Sequence, residues 1–299
     1  MSVTVEQISQ PGFGNLPSFM RRLFGSETDA PPVAALPANA SRTSHTPYGL
    51  RSFVSAGQGP LTVIFESGLG DGKEVWNSVL QAVSAQTRVV AYDRAGYGQS
   101  ERSTEQRDGV QIVEELRAML QAENIPPPYV LVGHSLGGTF VKLFACLYPQ
   151  EVVGVVLVDA RHADFSRRCR QMGVMRLFYE PPLALFMLGR SAKRAEFQAA
   201  PLTQKQVRAA GPFPKVPLIV LTHRLKAIHW PSGLMRAWAS SQRSLAGLST
   251  LGRIKVCDDS GHYVHRDRPD LVVRAVLGVV AAARYRLSQS QRGSEIQSR

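Results

Sequence analysis

Cysteine is scarce in this sequence, and long apolar runs are missing from it. The three cysteines, Cys146, Cys169 and Cys257, are an odd number without metal-ligand spacing, which predicts buried, reduced thiols rather than a disulfide framework. No run of about 18 apolar residues occurs, and the N-terminus lacks a basic-then-apolar signal pattern. These absences predict that the protein has no transmembrane segment, uses no metal or other cofactor, and is cytoplasmic.

Acidic residues are also missing from one long part of the chain. Residues 197–257 contain neither Asp nor Glu, so a carboxylate that acts in a site cannot come from that stretch. Positive charge is concentrated just before it: residues 161–215 hold eleven Lys and Arg against three acids, and so carry +8 of the net charge of +12. No nucleic-acid-binding motif surrounds this cluster, which predicts no nucleic-acid partner. The cluster indicates a solvated basic surface or, alternatively, affinity for an anionic substrate or a lipid surface.

Strand-like and helix-like patterns alternate through the centre of the chain. Continuous apolar runs such as Val152–Val158 are typical of parallel strands buried on both faces. Strands that alternate with helices predict an α/β fold, a three-layer αβα sandwich around a mostly parallel sheet. The predicted strands cover residues 51–56, 61–66, 88–92, 129–132, 152–158, 217–221 and 253–257.

Domain boundaries follow from changes in composition. Residues 1–45, rich in Pro, Ser and Ala, predict a loose leader, and the polar residues 288–299 predict a disordered tail. Between them, residues 46–159 and 216–287 carry the alternating pattern of the core. Residues 160–215 are too many for one crossover and combine basic residues with an apolar block, Pro181 to Leu188, which predicts an inserted cap over the strand ends.

The sequence Gly133-His-Ser-Leu-Gly137 directly follows the strand pattern that begins at Tyr129 and precedes a helical pattern. A serine on such a sharp turn exposes its Oγ, and the flanking glycines are needed where a Cβ would collide with neighbouring backbone. The helix that begins there directs free N–H groups and the positive end of its dipole toward a developing oxyanion. Ser135 is therefore the candidate nucleophile, and it needs an adjacent base.

Further motifs occur in an order and spacing that are specific when taken together. They are Gly57-Gln-Gly-Pro60, Ser67-Gly-Leu69, Asp93 to Ser100, Gly133 to Gly138, and Ser260-Gly-His262 ahead of Asp267-Arg-Pro269. On these motifs the sequence resembles the α/β-hydrolase family from about residue 48 to 287. The resemblance implies an eight-stranded type of sheet with an inserted cap. It does not select a substrate, because the fold serves esterases, lipases, thioesterases, peptidases and non-catalytic members.

The resemblance also assigns the base and the oxyanion donors. The family places its histidine in the loop after the last strand, which here gives His262 as the general base, with His265 as the alternative. The backbone N–H of Leu136, after the serine, and that of Leu69 are the candidate oxyanion donors. The family commonly has a His-Gly pair before the second donor, where this chain has Ser67-Gly68.

The triad acid departs from the commoner family pattern. Most members take it from the loop after the strand that here covers residues 217–221, a loop with no acidic residue in this chain. Asp159, at the end of the preceding strand, is the remaining well-placed carboxylate and would fix the tautomer of the histidine. The alternative is a Ser–His pair assisted by Asp258 or Asp164.

These residues and the resemblance predict a serine hydrolase that forms an acyl-enzyme on Ser135 and cleaves a carboxylic ester or thioester, with His262 as general base. Its partner would be a small-molecule acyl substrate, hydrophobic or anionic, and Trp76, His134 and Trp230 are candidate pocket residues. An acyltransferase, a C–C hydrolase, a peptidase and a non-catalytic binding member remain alternatives. Nothing in the sequence indicates an oligomeric state.

Overall fold

One mixed sheet runs through the part of the chain that the structure, a computed structural model, describes, namely residues 41–171, 191–224 and 232–297. Its strands are β1 (Ser41–Thr46), β2 (Gly49–Ala56), β3 (Thr62–Glu66), β4 (Arg88–Tyr92), β5 (Tyr129–His134), β6 (Val152–Val158), β7 (Leu218–His223) and β8 (Gly252–Cys257). They lie in the order β1-β2-β4-β3-β5-β6-β7-β8. In this spatial order, every neighbouring pair from β4 through β3 to β8 is parallel. The strand β2 is antiparallel to both β1 and β4. The predicted α/β class with a mostly parallel sheet is confirmed.

Helices cover both faces of the sheet. They are α1 (Asn77–Ser84), α2 (Gly109–Ala122), α3 (Gly137–Leu147), α4 (Ala163–Gln171), α5 (Ala192–Ala209), α6 (Ser232–Ala246), α7 (Val264–Asp267) and α8 (Pro269–Gln297). Because strand side chains alternate, Val63 and Phe65 of β3 join the apolar layer under α1 and α8, while Ile64 joins the layer under α2 and α3. This is the predicted three-layer sandwich. Among the described residues, no helix combines the length and the apolar character needed to cross a bilayer.

The strand β1 lies partly inside the segment 1–45 that the sequence predicts to be a loose leader. All six of its residues are polar, and only Ser44 is buried. The strand pairs along its whole length with β2 at the edge of the sheet. Backbone hydrogen bonds rather than apolar burial hold it, so the hydrophobic pattern gave no sign of it. The prediction of a loose leader is therefore wrong for residues 41–45, and residues 1–40 lie outside the described residues.

The last helix, α8, continues to Gln297, whereas the sequence predicts a disordered tail over residues 288–299. The first half of the helix is packed, with Val272, Val276 and Val279 buried. Once a packed segment has nucleated a helix, each further Ser, Gln or Arg adds a hydrogen bond at little cost. The tail prediction is therefore corrected for residues 288–297, and residues 298–299 lie outside the described residues.

The insertion between β6 and β7 contributes two described helices, α4 and α5. Although α5 is polar overall, Glu196 and Thr203 on it are buried. The apolar block from Pro181 to Leu188 lies in residues 172–190, outside the described residues. In the chain, α4 and α5 thus lie between the carboxyl end of β6 and the start of β7.

Candidate active site

Four polar side chains lie at the carboxyl ends of four neighbouring strands. Ser135 follows β5, Asp159 follows β6, His223 ends β7, and His262 is in the loop after β8. Because these strands are parallel and adjacent, their carboxyl ends lie at the same edge of the sheet. Residues that are up to 127 positions apart in the chain therefore come within hydrogen-bond distance.

Ser135 stands on the turn that the glycine spacing predicts. Its φ angle is +51°, in the left-handed region that residues with a side chain seldom adopt. A Cβ on Gly137 would collide with the carbonyl oxygens of Glu66 and Ser67, which explains why glycine is needed there. The turn is fixed from β6, because Ser135 N donates to Val158 O at 3.1 Å and Arg161 N donates to Ser135 O at 2.9 Å.

The His262 imidazole lies between Ser135 and Asp159. Its Nε2 is 3.0 Å from Ser135 Oγ, and its Nδ1 is 2.6 Å from Asp159 Oδ2. A carboxylate can only accept, so a neutral imidazole carries its proton on Nδ1 and presents Nε2 as an acceptor to the serine hydroxyl. The side chain is 41% exposed and so can be reached by a ligand.

Asp159 is fully buried, and four donors surround it. Thr222 Oγ1 and His223 N donate to Oδ1 at 2.9 and 3.0 Å, while His262 Nδ1 and His223 Nδ1 lie 2.6 and 2.7 Å from Oδ2. Burial alone would raise the pKa of this carboxyl, but the hydrogen bonds and charges of the two histidines outweigh it and lower the pKa to about 2. The backbone of Asp159 is also left-handed, with φ +46°.

The loop that carries His262 is held on two sides. Asp267 Oδ2 accepts from Gly261 N at 2.7 Å. On the other side, His134 Nε2 lies 3.1 Å from the backbone oxygen of His262 and donates to it. Burial, together with the neighbouring His262 and His265, lowers the pKa of His134 well below its ordinary value, so that ring stays neutral. His134 therefore positions the loop, and it also lines the cavity described below.

Leu69 and Leu136, the candidate oxyanion donors, line the same cavity as Ser135 and come from two different elements. Leu136 immediately precedes α3, and Leu69 lies in the loop after β3. Neither amide donates to another group within the described parts of the chain. The Leu69 loop is fixed by Arg94, which donates to Ser67 O and Gly68 O at 2.7 Å each.

Arg94 belongs to a cluster, here called the buried ion network, of three arginines and three glutamates whose side chains are almost completely buried. Arg94 lies 2.6 Å from Glu66 and 2.9 Å from Glu196. Glu196 is on α5, so the network connects the insertion to the loop that carries Leu69. Its six members are Arg51, Arg94, Arg107, Glu66, Glu115 and Glu196.

A cavity of about 390 Å³ opens over Ser135. Leu69 and Leu136 line it from the core, Phe165 from α4, Phe197 from α5 and Trp238 from α6. This lining is mostly apolar and of a size that suits a small molecule.

Of the candidate pocket tryptophans, Trp76 lies in the core instead of the cavity. It is fully buried, donates from Nε1 to Ser67 Oγ at 3.1 Å and packs against Phe65. It thus supports the loop that carries Leu69. Trp230 lies outside the described residues.

His265 is the alternative candidate for the base, and Asp258 and Asp164 are the alternatives for the acid. Their surroundings differ from those of His262 and Asp159. His265 is buried against Trp76, neither ring nitrogen has a hydrogen-bond partner in the described part of the chain, and burial lowers its pKa to about 3. Asp258 is 60% exposed and pairs with Arg224 at 2.5 Å. The side chain of Asp164 lies outside the described part of the structure.

Sequence reasoning missed His223 and Glu196. His223 has the same signal as Asp159, a polar residue at the end of a buried strand, but the sequence predicts it to be a polar surface or loop histidine. Glu196 is one of only three acids in the strongly basic segment 161–215, which suggests a specific partner. That its partner is Arg94, 102 residues earlier, required the structure.

Among the described residues, the side chains that could together ligate a metal ion are those of Asp159, His223 and His262. Their ligand atoms lie within 4.8 Å of one another. Both histidines already bond to the carboxylate through Nδ1, and this accounts for the cluster without an ion.

Comparison with known proteins gives a family match and a relative of similar length. A model described as alpha/beta hydrolase fold matches residues 62–265. The uncharacterized protein YqjL of Bacillus subtilis (strain 168) is 28% identical over 229 residues, which cover 76% of this chain and 86% of that protein.

Two solved structures are similar in fold at low sequence identity. A thermophilic esterase from Thermogutta terrifontis has a TM-score of 0.56 and 19% identity, covering 81% of this chain and 98% of its own. An enol-lactonase from Burkholderia xenovorans LB400 has a TM-score of 0.61 and 17% identity, covering 80% of this chain and 100% of its own.

Proposed function

This chain belongs to the alpha/beta hydrolase fold family, and from that membership and the geometry above we propose that it is a serine hydrolase of carboxylic esters or thioesters. The observation that carries the proposal is the unbroken series Ser135 Oγ, His262 and Asp159, joined at 3.0 and 2.6 Å. An esterase and an enol-lactonase among the similar folds are consistent with it.

In the acylation step, His262 Nε2 removes the hydroxyl proton as Ser135 Oγ bonds to the substrate carbonyl carbon. The carbonyl oxygen becomes an oxyanion that accepts from the amides of Leu69 and Leu136. Asp159 stabilises the imidazolium, which then gives its proton to the departing alcohol or thiol. The products are a free leaving group and an ester between the acyl group and Ser135.

Deacylation repeats these steps with water as the nucleophile. His262 takes a proton from water, the hydroxide adds to the acyl carbon, and the same two amides hold the second oxyanion. Collapse breaks the bond to Ser135 Oγ, which recovers its proton from His262 and releases the carboxylic acid.

The insertion and the location are part of the proposal. We propose that residues 160–215 form a cap, because Phe165, Ser166 and Phe197 from this segment line the cavity over Ser135. A cytoplasmic location is supported by three cysteines that are buried and free.

A fluorophosphonate probe tests the central proposal, because it labels only an activated serine. Wild-type protein is expected to be labelled on Ser135, while Ser135→Ala and His262→Ala are expected to give no labelled band. His265→Ala, judged soluble and folded by circular dichroism, should keep the label. An unlabelled wild type, or a label that survives in Ser135→Ala, would overturn the proposal in favour of a non-catalytic or different role.

His223 is expected to keep Asp159 ionised at low pH. Burial alone would raise the pKa of that carboxyl, and the hydrogen bond from His223 to Asp159 Oδ2 is one of the contacts that lower it to about 2. In His223→Ala the pKa of Asp159 should therefore rise, and the acid limb of kcat/KM should move to higher pH.

A matched control separates this effect from simple loss of structure. His45 is an exposed histidine on β1, and His45→Ala should leave the profile unchanged. His223→Gln, which keeps a donor, should fall between wild type and His223→Ala. A lower rate at every pH with an unmoved limb would mean that His223 acts only through packing.

A further inference from the structure

Arg161 brings a positive charge to the cavity that contains Ser135. It lies two residues after Asp159, and its backbone N–H donates to Ser135 O at 2.9 Å. Its side chain is half-buried and lines the same cavity as the serine. The guanidinium therefore shares a cavity with any ligand whose carbonyl carbon reaches Ser135.

No carboxylate in the described part of the chain pairs with this guanidinium. Nε donates to Ser166 Oγ at 2.9 Å, and Cζ lies 6.0 Å from the centre of the Phe197 ring. These two contacts orient the side chain and leave its two terminal nitrogens without a protein acceptor among the described residues. Among the described residues Arg161 thus has no counter-ion, whereas Arg94 pairs with two glutamates.

The two other charged groups of the cavity do not neutralise Arg161. Asp159 uses both of its oxygens on Thr222, His223 and His262. Asp71 lies 4.0 Å from Arg266 and 3.8 Å from His134. A free charge is thus directed at the space that a substrate would fill.

We propose that Arg161 binds an ionised carboxylate of the substrate, so that the preferred esters are those that carry a second, anionic group. The proposal rests on the serine hydrolase function proposed above. The two terminal nitrogens of the planar guanidinium can each donate to one oxygen of a carboxylate, which gives a bidentate pair. A carboxylate suits the site better than a doubly charged phosphate, because Asp71 faces the same cavity.

The test compares esters that differ only in charge. Mono(4-nitrophenyl) glutarate carries a carboxylate on its acyl chain, and 4-nitrophenyl pentanoate is its neutral counterpart. Wild type is expected to show a kcat/KM for the glutarate ester at least 10-fold above that for the pentanoate. A second pair, 4-carboxyphenyl and phenyl pentanoate, shows whether an alcohol-side carboxylate is favoured instead.

Variants then assign the preference to Arg161. Arg161→Gln should lower kcat/KM for the favoured anionic ester at least 10-fold and change the neutral ester less than 3-fold, with Arg161→Lys in between. Arg208→Gln, an exposed arginine in the last turn of α5, should leave both values unchanged. In wild type, KM for the anionic ester should rise with ionic strength and that for the neutral ester should not.

The outcomes separate this inference from the function on which it rests. If wild type hydrolyses charged and neutral esters equally, or Arg161→Gln slows both alike, the carboxylate site is refuted while the serine hydrolase stands. If the protein neither cleaves any of these esters nor reacts with the fluorophosphonate, the proposed function itself has failed. Turnover of the neutral ester also reports that Arg161→Gln is folded.

Discussion

Ester hydrolysis by Asp159→Asn is expected to be slower than wild type by about 10⁴-fold in kcat, with KM little changed. The substitution is nearly isosteric, and asparagine tolerates the left-handed backbone found at this position. The expected loss therefore comes from chemistry at His262 and not from unfolding.

The neighbours of Asp159 fix how the new amide would lie. The backbone N–H of His223 donates to Oδ1 at 3.0 Å and can only donate, so the amide oxygen must take that place. The amide NH₂ then faces His262 Nδ1, where the carboxylate had accepted. His262 is forced to accept at Nδ1 and to carry its proton on Nε2, the nitrogen that must receive the proton of Ser135.

The control for this prediction is Asp258→Asn. Asp258 is the exposed acid that the sequence left open as an alternative, and it pairs with Arg224. Its replacement should leave kcat within about 2-fold of wild type. A loss of less than 10-fold in Asp159→Asn would show that Ser135 and His262 work as a pair without this carboxylate.

Glu196→Gln is expected to lower the free energy of unfolding by about 3–5 kcal/mol. Glu196 accepts from Arg94 through both oxygens, at 2.9 and 3.0 Å, and from Tyr97 Oη at 2.8 Å. Removing its charge leaves three buried arginines against two glutamates. The new amide NH₂ would also point a donor at donors, so desolvation is no longer compensated.

Urea unfolding measures this effect as a lower midpoint with an unchanged slope. The matched control is Glu105→Gln, an exposed glutamate outside the network, for which a change within about 0.5 kcal/mol is expected. A loss below about 1 kcal/mol for Glu196→Gln would show that water or a neighbouring group compensates the arginines.

The fold and the positions of Ser135 and Asp159 could be predicted from local signals, whereas His262 was assigned from the resemblance to the α/β-hydrolase family. Buried parallel strands appear as continuous apolar runs, and the polar residue that ends each run must lie at one edge of the sheet. Because residues 197–257 contain no acid, Asp159 was the remaining well-placed candidate for the triad carboxylate. The roles of these residues remain predictions until the variants are measured.

What could not be predicted depends on partners that are distant in the chain. The strand β1 is polar and is held by backbone pairing with β2. The partners of Glu196 come from two other loops, and nothing in their sequence shows that Arg94 and Arg107 point toward α5. The second imidazole on Asp159 similarly depends on how β6 and β7 align, which places His223 beside it.

The left-handed backbone at Ser135 has a consequence for a variant without its side chain. Such a conformation costs a residue with a side chain on the order of 1 kcal/mol, whereas glycine adopts it freely. The backbone alone would therefore favour glycine at position 135. Ser135→Gly should fold and be at least as stable as wild type, so this chain can lose the hydroxyl without losing its structure.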